Sequence, residues 1–221
     1  TASAYAVRRY RIAEELGGEP ALEELKRRAA THGLRLAADL VPNHTAIDSD
    51  WVIEHPQRFV WRGESPFPGY RFSGDDLSPD PRVELRVEDG YGDRTDAAVV
   101  FQRTDRQSGE TRYLYHGNDG TSVPWNDTAQ LDYTRADTRA AMIEEIVAVA
   151  KHFPILRFDA AMTLTRHHFH RLWFPASHAA GAIPSRAEHG LSEEAFAERM
   201  PQEFWREVVD RVAAEAPDTL L

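Results

Sequence analysis

Arg157 and Asp159 stand two residues apart at the end of a short apolar run, Ile155-Leu156-Arg157-Phe158-Asp159. Asn43 and His44 close a second run, Asp39-Leu40-Val41-Pro42-Asn43-His44. Short apolar runs that turn polar at their end are how buried strands look when they deliver side chains to a site. On a strand, residues i and i+2 share a face, so Arg157 and Asp159 can touch. A guanidinium beside a carboxylate keeps it ionised. An ionised, oriented Asp is what a glycosyl nucleophile requires. A plain structural ion pair fits the same spacing, so that alternative stays open on these residues alone. His44 can donate hydrogen bonds to sugar hydroxyls, or serve only as a loop donor. Asn43 offers a carbonyl oxygen suited to a hard cation such as Ca²⁺, or acts only as a turn residue. Asp39 lies within its strand and is expected to be buried, so it needs a partner; Arg157 can serve.

The elements that must position these groups read as α/β alternation. Pro20 to His32 is expected as a helix, with Leu22, Leu25 and Ala29 facing inward and Gly33 as its stop. Leu34–Val41 follows as a strand. From Thr45 to Tyr133 the pattern breaks: Trp51, Trp61, Tyr70, Tyr91 and Trp125 are scattered among Pro, Gly, Asp and Ser. Within it, Ala98–Arg103 and Thr111–His116 read as strands joined by a turn over Thr104–Glu110. So long a stretch without structure of its own is uncommon, which makes it an irregular, β-containing inserted subdomain. The alternation then resumes. Asp137–His152 is a helix with Met142, Ile143, Ile146, Val147 and Ala150 on one face. Phe153–Phe158 is a strand, residues 160–200 are loop and short helix, and Pro201–Glu215 is a helix carrying Phe204, Val208, Val209 and Val212 inward. Thr219-Leu220-Leu221 reads as the first residues of a further strand.

The expected division is 1–44 as a barrel segment, 45–133 as the insert and 134–221 as a second barrel segment. A complete eight-fold barrel takes about 250 residues, so the fold class is α/β, a partial (β/α)8 TIM barrel. The alternative is a complete small α/β domain with one large loop. The chain has 221 residues, a net charge of −10 and no Cys. No Cys means no disulfide and no thiolate metal site, which fits a reducing, cytoplasmic location. The acidic balance argues against nucleic acid as a partner. No apolar run nears the roughly 20 residues that span a bilayer, and no signal peptide stands at residue 1, so no membrane partner is expected. A neutral sugar meets no electrostatic penalty.

The sequence resembles the α-amylase superfamily, glycoside hydrolase family 13. Asp39-Leu40-Val41-Pro42-Asn43-His44 matches its first signature, Asp-x-Val-x-Asn-His, and Leu156-Arg157-Phe158-Asp159-Ala160-Ala161 matches the second. Ser3-Ala4-Tyr5 is similar to the segment after the second barrel strand, and Gln130-Leu131-Asp132-Tyr133 to the patch near the end of the inserted subdomain. The resemblance implies retaining chemistry on α-glucosidic bonds, as hydrolase or transglycosylase, with a glycosyl-enzyme ester at Asp159. It implies that Arg157 holds that Asp, and that His44 and Tyr5 bind the sugar. Asn43 and Asp132 fall where many members bind a structural Ca²⁺; no cofactor is required for the chemistry. The implied substrate is an α-glucan or an α-linked small saccharide, and the implied partner is the remainder of the barrel in a parent chain.

Some positions depart from the pattern. Ile155 stands where Gly is usual two residues before the Arg, and Met162-Thr163 stands where many starch-degrading members carry Lys-His. The second departure favours a small-substrate glucosidase or a transglycosylase over a starch endo-amylase. The family's general acid, a Glu on the fifth strand, is expected beyond Leu221, since Glu207 and Glu215 read as helical; the fragment alone is expected to be inactive. The alternative function is that of a non-catalytic relative acting as a carbohydrate-binding or scaffold subunit. Arg166-His167-His168-Phe169-His170 lacks the carboxylates of a metal site; Trp51, Trp61 and Trp125 offer aromatic faces that suit sugar rings, and are expected instead to pack the insert.

Overall fold

The structure, a computed structural model, describes residues 3–120, 123–176 and 184–221. Among them the helices are α1 (Gly18–Thr31), α2 (Asp50–Glu54), α3 (Asp89–Asp93), α4 (Ala136–Ala150), α5 (Arg166–Trp173), α6 (Pro184–Ala187), α7 (Glu193–Arg199) and α8 (Phe204–Glu215). The strands are β1 (Ala37–Leu40), β2 (His44–Ala46), β3 (Trp61–Arg62), β4 (Val83–Arg86), β5 (Val100–Asp105), β6 (Thr111–Tyr115), β7 (Thr128–Gln130) and β8 (Ile155–Phe158).

β1 and β8 pair in parallel, with Asp39 opposite Arg157 and Leu40 opposite Phe158. On the other side of β8, Leu220 bridges Ile155, again in parallel, as the expected start of a strand there requires. Parallel strands need helical crossovers. α4 precedes β8, and α8 leads to Leu220. The two helices pack on each other and bury Met142, Ile143, Ile146 and Val147 with Phe204, Val208 and Val212. The inward face expected for the helix before β8 is therefore the buried one. Val209 is an exception: it is 49 % exposed, because the stripe buried on α8 runs through 204, 208 and 212 and leaves 209 to one side.

α1 begins at Gly18 rather than Pro20, after Gly17 turns the chain at φ 94°. Its end is a Schellman motif: the Gly33 N–H donates to Ala30 O and the Leu34 N–H to Ala29 O, both at 3.0 Å. Gly33, at φ 69°, tolerates the left-handed turn this needs. Leu25, expected inward, is 51 % exposed, and only Leu22 and Ala29 are buried. β1 is shorter than the Leu34–Val41 expected from sequence. It is also open on one side, because it pairs only with β8 among the described strands. A cleft of about 600 Å³ lies beside it, bounded by Tyr10, Leu22, Ala38, Val149 and Phe153.

Between the parallel pair lies an antiparallel sheet in the order β3-β6-β5-β4. The β5–β6 hairpin places Thr104 opposite Thr111. Its turn is held by Asp105 Oδ1, which accepts from the Gln107 and Ser108 N–H groups, and by Gly109 at φ 74°. Both strands arise where the sequence put strands, with ends shifted by one or two residues. A second antiparallel pair, β2 with β7, sets His44 opposite Gln130. No helix is long and apolar enough to cross a membrane among the described residues.

Candidate active site

Arg157 is the hub of a charged chain. Its Nη1 donates to Asp39 Oδ2 at 2.9 Å, and its Nη2 to Asp159 Oδ1 at 3.4 Å. The parallel register explains the first contact, since Asp39 and Arg157 are direct neighbours across β1 and β8; the shared strand face explains the second. The charge of Asp39 is the main cause holding Arg157 above the usual arginine range, followed by a hydrogen bond with Tyr5. Asp39, expected to be buried, is 46 % exposed in its side chain. It lines the cleft beside the open edge of β1, and Arg157 partners it.

His44 sits in the first residue of β2, almost wholly buried. Burial pushes its pKa down to about 4, so the ring is neutral near pH 7. Its Nδ1 lies 3.4 Å from Asn43 Nδ2, and its Nε2 lies 3.2 Å from the Tyr5 carbonyl oxygen. An amide nitrogen only donates and a carbonyl only accepts, which assigns the proton to Nε2. That N–H serves the Tyr5 backbone.

Tyr5, His44 and Asp159 line one cavity of about 280 Å³ together with Ser3, Trp125, Asp127 and Thr128. The structure thus brings together Tyr5, His44 and Asp159 from three separate stretches of chain. Trp125, Asp127 and Thr128 were not expected there. The Trp125 ring tilts against His44 at 5.1 Å between centroids, so it walls the cavity instead of packing the insert as Trp51 and Trp61 do. Its position five residues before Gln130 was the available signal. Glu207 and Glu215 do not line this cavity. Glu215 is engaged by Lys151 and Arg211, and Glu207 lies 3.7 Å from Arg139.

The backbone after Asp159 is strained. Ala160 is left-handed at φ 51°, ψ 31°, which costs a Cβ-bearing residue roughly 1–2 kcal/mol. The following 3₁₀ turn, Ala161–Leu164, holds it: the Thr163 N–H and Oγ1 both donate to Ala160 O, at 3.0 and 2.6 Å. Trp205 of α8 pins the same turn through Nε1 on Ala161 O at 2.8 Å. Strain of this kind gathers at functional sites.

Asn43 and Asp132 were read as calcium ligands, and their surroundings test that fit. Asn43 Oδ1 already accepts from Gln130 Nε2 at 3.1 Å, and Thr163 Oγ1, whose proton goes to Ala160 O, lies 3.1 Å from it. Gln130 Nε2 also points at Asn43 O (3.0 Å) and Leu131 O (3.2 Å). One amide nitrogen thus meets three oxygens much as a cation would. Asp132 Oδ1 accepts from the Thr134 N–H and Oγ1, and burial raises its pKa. A hard cation needs six to eight oxygens, several of them anionic. The donor set as placed does not fit one, and no group of three or more His, Asp or Glu gathers to hold a metal among the described residues. In the His-rich stretch, His168 and His170 each turn Nε2 to a backbone oxygen, of Asp119 and Leu191.

No protein-family model matches the sequence, and no curated protein does. Solved structures do match in fold. A family GH13_31 enzyme superposes with a TM-score of 0.57 at 20 % identity, over 98 % of this chain and 36 % of its own. Trehalose-6-phosphate hydrolase from Bacillus licheniformis does so with 0.54 at 15 % identity, over 100 % of this chain and 34 % of its own. A variant of the trehalulose synthase MutB gives 0.55 at 16 %, again over 100 % and 34 %. The chain therefore spans about a third of the length of the structures it matches. These neighbours are α-amylase-family enzymes built on TIM barrels, and the fold here is that of part of such a barrel. The likeness to these structures is one of fold.

Proposed function

We propose that this chain supplies the nucleophile half of a retaining α-glycosidase or α-glucosyl transferase site, with Asp159 as the nucleophile. The observation that carries the reading is the shared cavity: Asp159, held by Arg157, lines it with His44 and Tyr5. An Asp serving a structural ion pair alone has no need to face a sugar-sized space beside a neutral histidine donor.

The chemistry follows from the groups in place. An Asp159 carboxylate oxygen attacks the anomeric carbon. The new carbon–oxygen ester bond forms as the glycosidic carbon–oxygen bond breaks, and the departing oxygen takes a proton from a second carboxylic acid. Water then releases a free sugar, or an acceptor hydroxyl takes the glycosyl group, with that second carboxyl now acting as base. Arg157 orients Asp159 until attack. His44 holds a sugar hydroxyl once its N–H leaves the Tyr5 carbonyl, and the Tyr5 ring faces the sugar. Retaining enzymes place the two carboxyls about 5 Å apart; we assign the acid to the remainder of the barrel, in a parent polypeptide. No calcium ion takes part in this scheme.

The test is covalent trapping in the polypeptide that carries this chain. A 5-fluoro-α-glucosyl fluoride should add one glycosyl mass to the peptide containing Asp159, and Asp159→Asn should take none. Labelling at another residue, or undiminished turnover of a nitrophenyl α-glucoside by Asp159→Asn, would overturn the assignment. Sugar binding with neither label nor turnover would favour a non-catalytic subunit instead.

A further inference from the structure

We propose that Asp127 makes the sugar cavity selective for uncharged or cationic rings, and against rings that carry phosphate or carboxylate groups. The inference rests on the reading of Asp159 as nucleophile and names the substrate class of that same site.

Asp127 lies one residue before β7, anchored by its backbone oxygen, which accepts from the Ile47 N–H at 3.1 Å. It is half-buried. Its carboxylate makes no hydrogen bond and no ion pair among the described residues, yet it lines the same cavity as Asp159. Asp75 and Asp93 form no hydrogen bond or salt bridge among the described residues either, but they stand exposed at the surface. A carboxylate in a cavity wall that no described residue engages keeps its acceptor sites free for a ligand. A sugar ring can fill them, since two hydroxyls can donate to one carboxylate.

The charge balance of the cavity sharpens the choice. Among the described residues no Lys or Arg lines it. Arg157 reaches Asp159 but is shared with Asp39. His44 stays neutral above pH 4 to 5 because of its burial. Two acidic residues therefore line the space, with no lining cation among the described residues, in a chain of net charge −10. A phosphate or carboxylate on the ring would bring like charge into a partly desolvated site, and a site rejects a ligand by such unpaired charge as effectively as by shape. Trp125 offers the opposite kind of wall, an aromatic face for the apolar side of an uncharged ring. At about 280 Å³ the cavity lies at the small end of ligand sites, which run from about 300 Å³ upward. That size suits one ring at a time.

The experiment compares kcat/KM for p-nitrophenyl α-glucoside and for its 6-phosphate, using the full polypeptide that contains this chain and its Asp127→Asn variant. The parent should prefer the neutral substrate, and the variant should narrow that preference by about tenfold or more, as removal of one nearby charge requires. Raising the salt concentration should narrow it in the parent as well. An unchanged preference in Asp127→Asn, or a parent that prefers the 6-phosphate, overturns the proposal while leaving the Asp159 label intact. Where the parent turns over neither substrate and Asp159 takes no label, the nucleophile assignment fails on its own. Calorimetric binding of glucose against glucose 6-phosphate then applies the same charge test, and equal affinities for the two overturn the selectivity.

Discussion

Acid should unfold this protein through two histidines well before its carboxylates titrate. His116 is fully buried on β6's C-terminal side, with Nδ1 at 3.0 Å from Thr128 O. Its Nε2 has no partner among the described residues and sits among the rings of Tyr91 and Phe101, each 5.3 Å away. Protonation would place an N–H there with nothing to receive it, so burial drives the pKa from 6.5 to about 4. His44 is lowered to about 4 by the same cause. The unfolded chain protonates each ring near pH 6.5, while the folded chain does not until about pH 4. Stability is therefore complete above pH 6.5 and drains as the pH falls toward 4, where the loss levels off. A gap of that size is worth about 3 kcal/mol per histidine at 1.36 kcal/mol per pKa unit. Both together would consume much of the 5–15 kcal/mol that holds a typical domain. His189 is shifted the same way by burial and by Arg62 and adds to the trend. Urea unfolding at several pH values between 7.5 and 4.5 reads the effect as a falling midpoint. His116→Gln, which can keep a donor on Thr128 O but cannot titrate, should flatten the slope by about 1.4 kcal/mol per pH unit. A variant with the parent's slope, or a His116 resonance that titrates above pH 6, would refute the reasoning.

Gln130→Leu should cost about 2 kcal/mol, because Leu131 O loses its side-chain donor and Asn43 O and Oδ1 each lose one of theirs, measured as a drop in the urea midpoint. Chelators should not move the unfolding midpoint of the parent, whereas Gln130→Glu should be destabilised and partly restored by millimolar Ca²⁺; a chelator-sensitive parent contradicts the saturated network around Asn43. On the proposed reading of Asp159, Asp39→Asn should lower kcat of the parent polypeptide by on the order of 10–100-fold through a misplaced Arg157, with an unchanged unfolding midpoint because both side chains are about half exposed. Arg103→Met should destabilise by about 2 kcal/mol or more, since its buried guanidinium caps the last carbonyls of α2, donating to Val52 O and Ile53 O at 2.8 and 2.7 Å; a differential scanning trace within a degree of the parent's would count against that role.

What the sequence disclosed depended on how local the cause was. The α4 and α8 stripes and the β5–β6 hairpin follow from periodicity and turn chemistry within a few residues, and they arise where expected. The Arg157–Asp159 contact is equally local. The Asp39–Arg157 partnership crosses 118 positions, yet it was legible because each strand carried a charge that needed a mate. The exposure of Asp39 was not, because burial of a strand residue is decided by which neighbours complete the sheet, and β1 has one open edge. The β2–β7 pair was also hidden: three residues on each side give no period, and their register comes from turns far apart in the chain. Trp125 and Asp127 were missed for a related reason. They stand in a stretch whose local composition says only loop, and their meaning comes from His44, brought beside them by that same pairing.

Arg157 is divided between two acids, and this division carries a consequence for turnover. In the resting protein the trio of Asp39, Arg157 and Asp159 bears one net negative charge. Acylal formation at position 159 would erase one carboxylate, yet the guanidinium would not be stranded, because Asp39 holds it by the shorter of its two bonds. The intermediate would thus be electrically balanced, and regaining the anion on release would restore a contact that was waiting rather than build a new one. An arginine bound to a single acid would have to lose and recover its only counterion in every cycle.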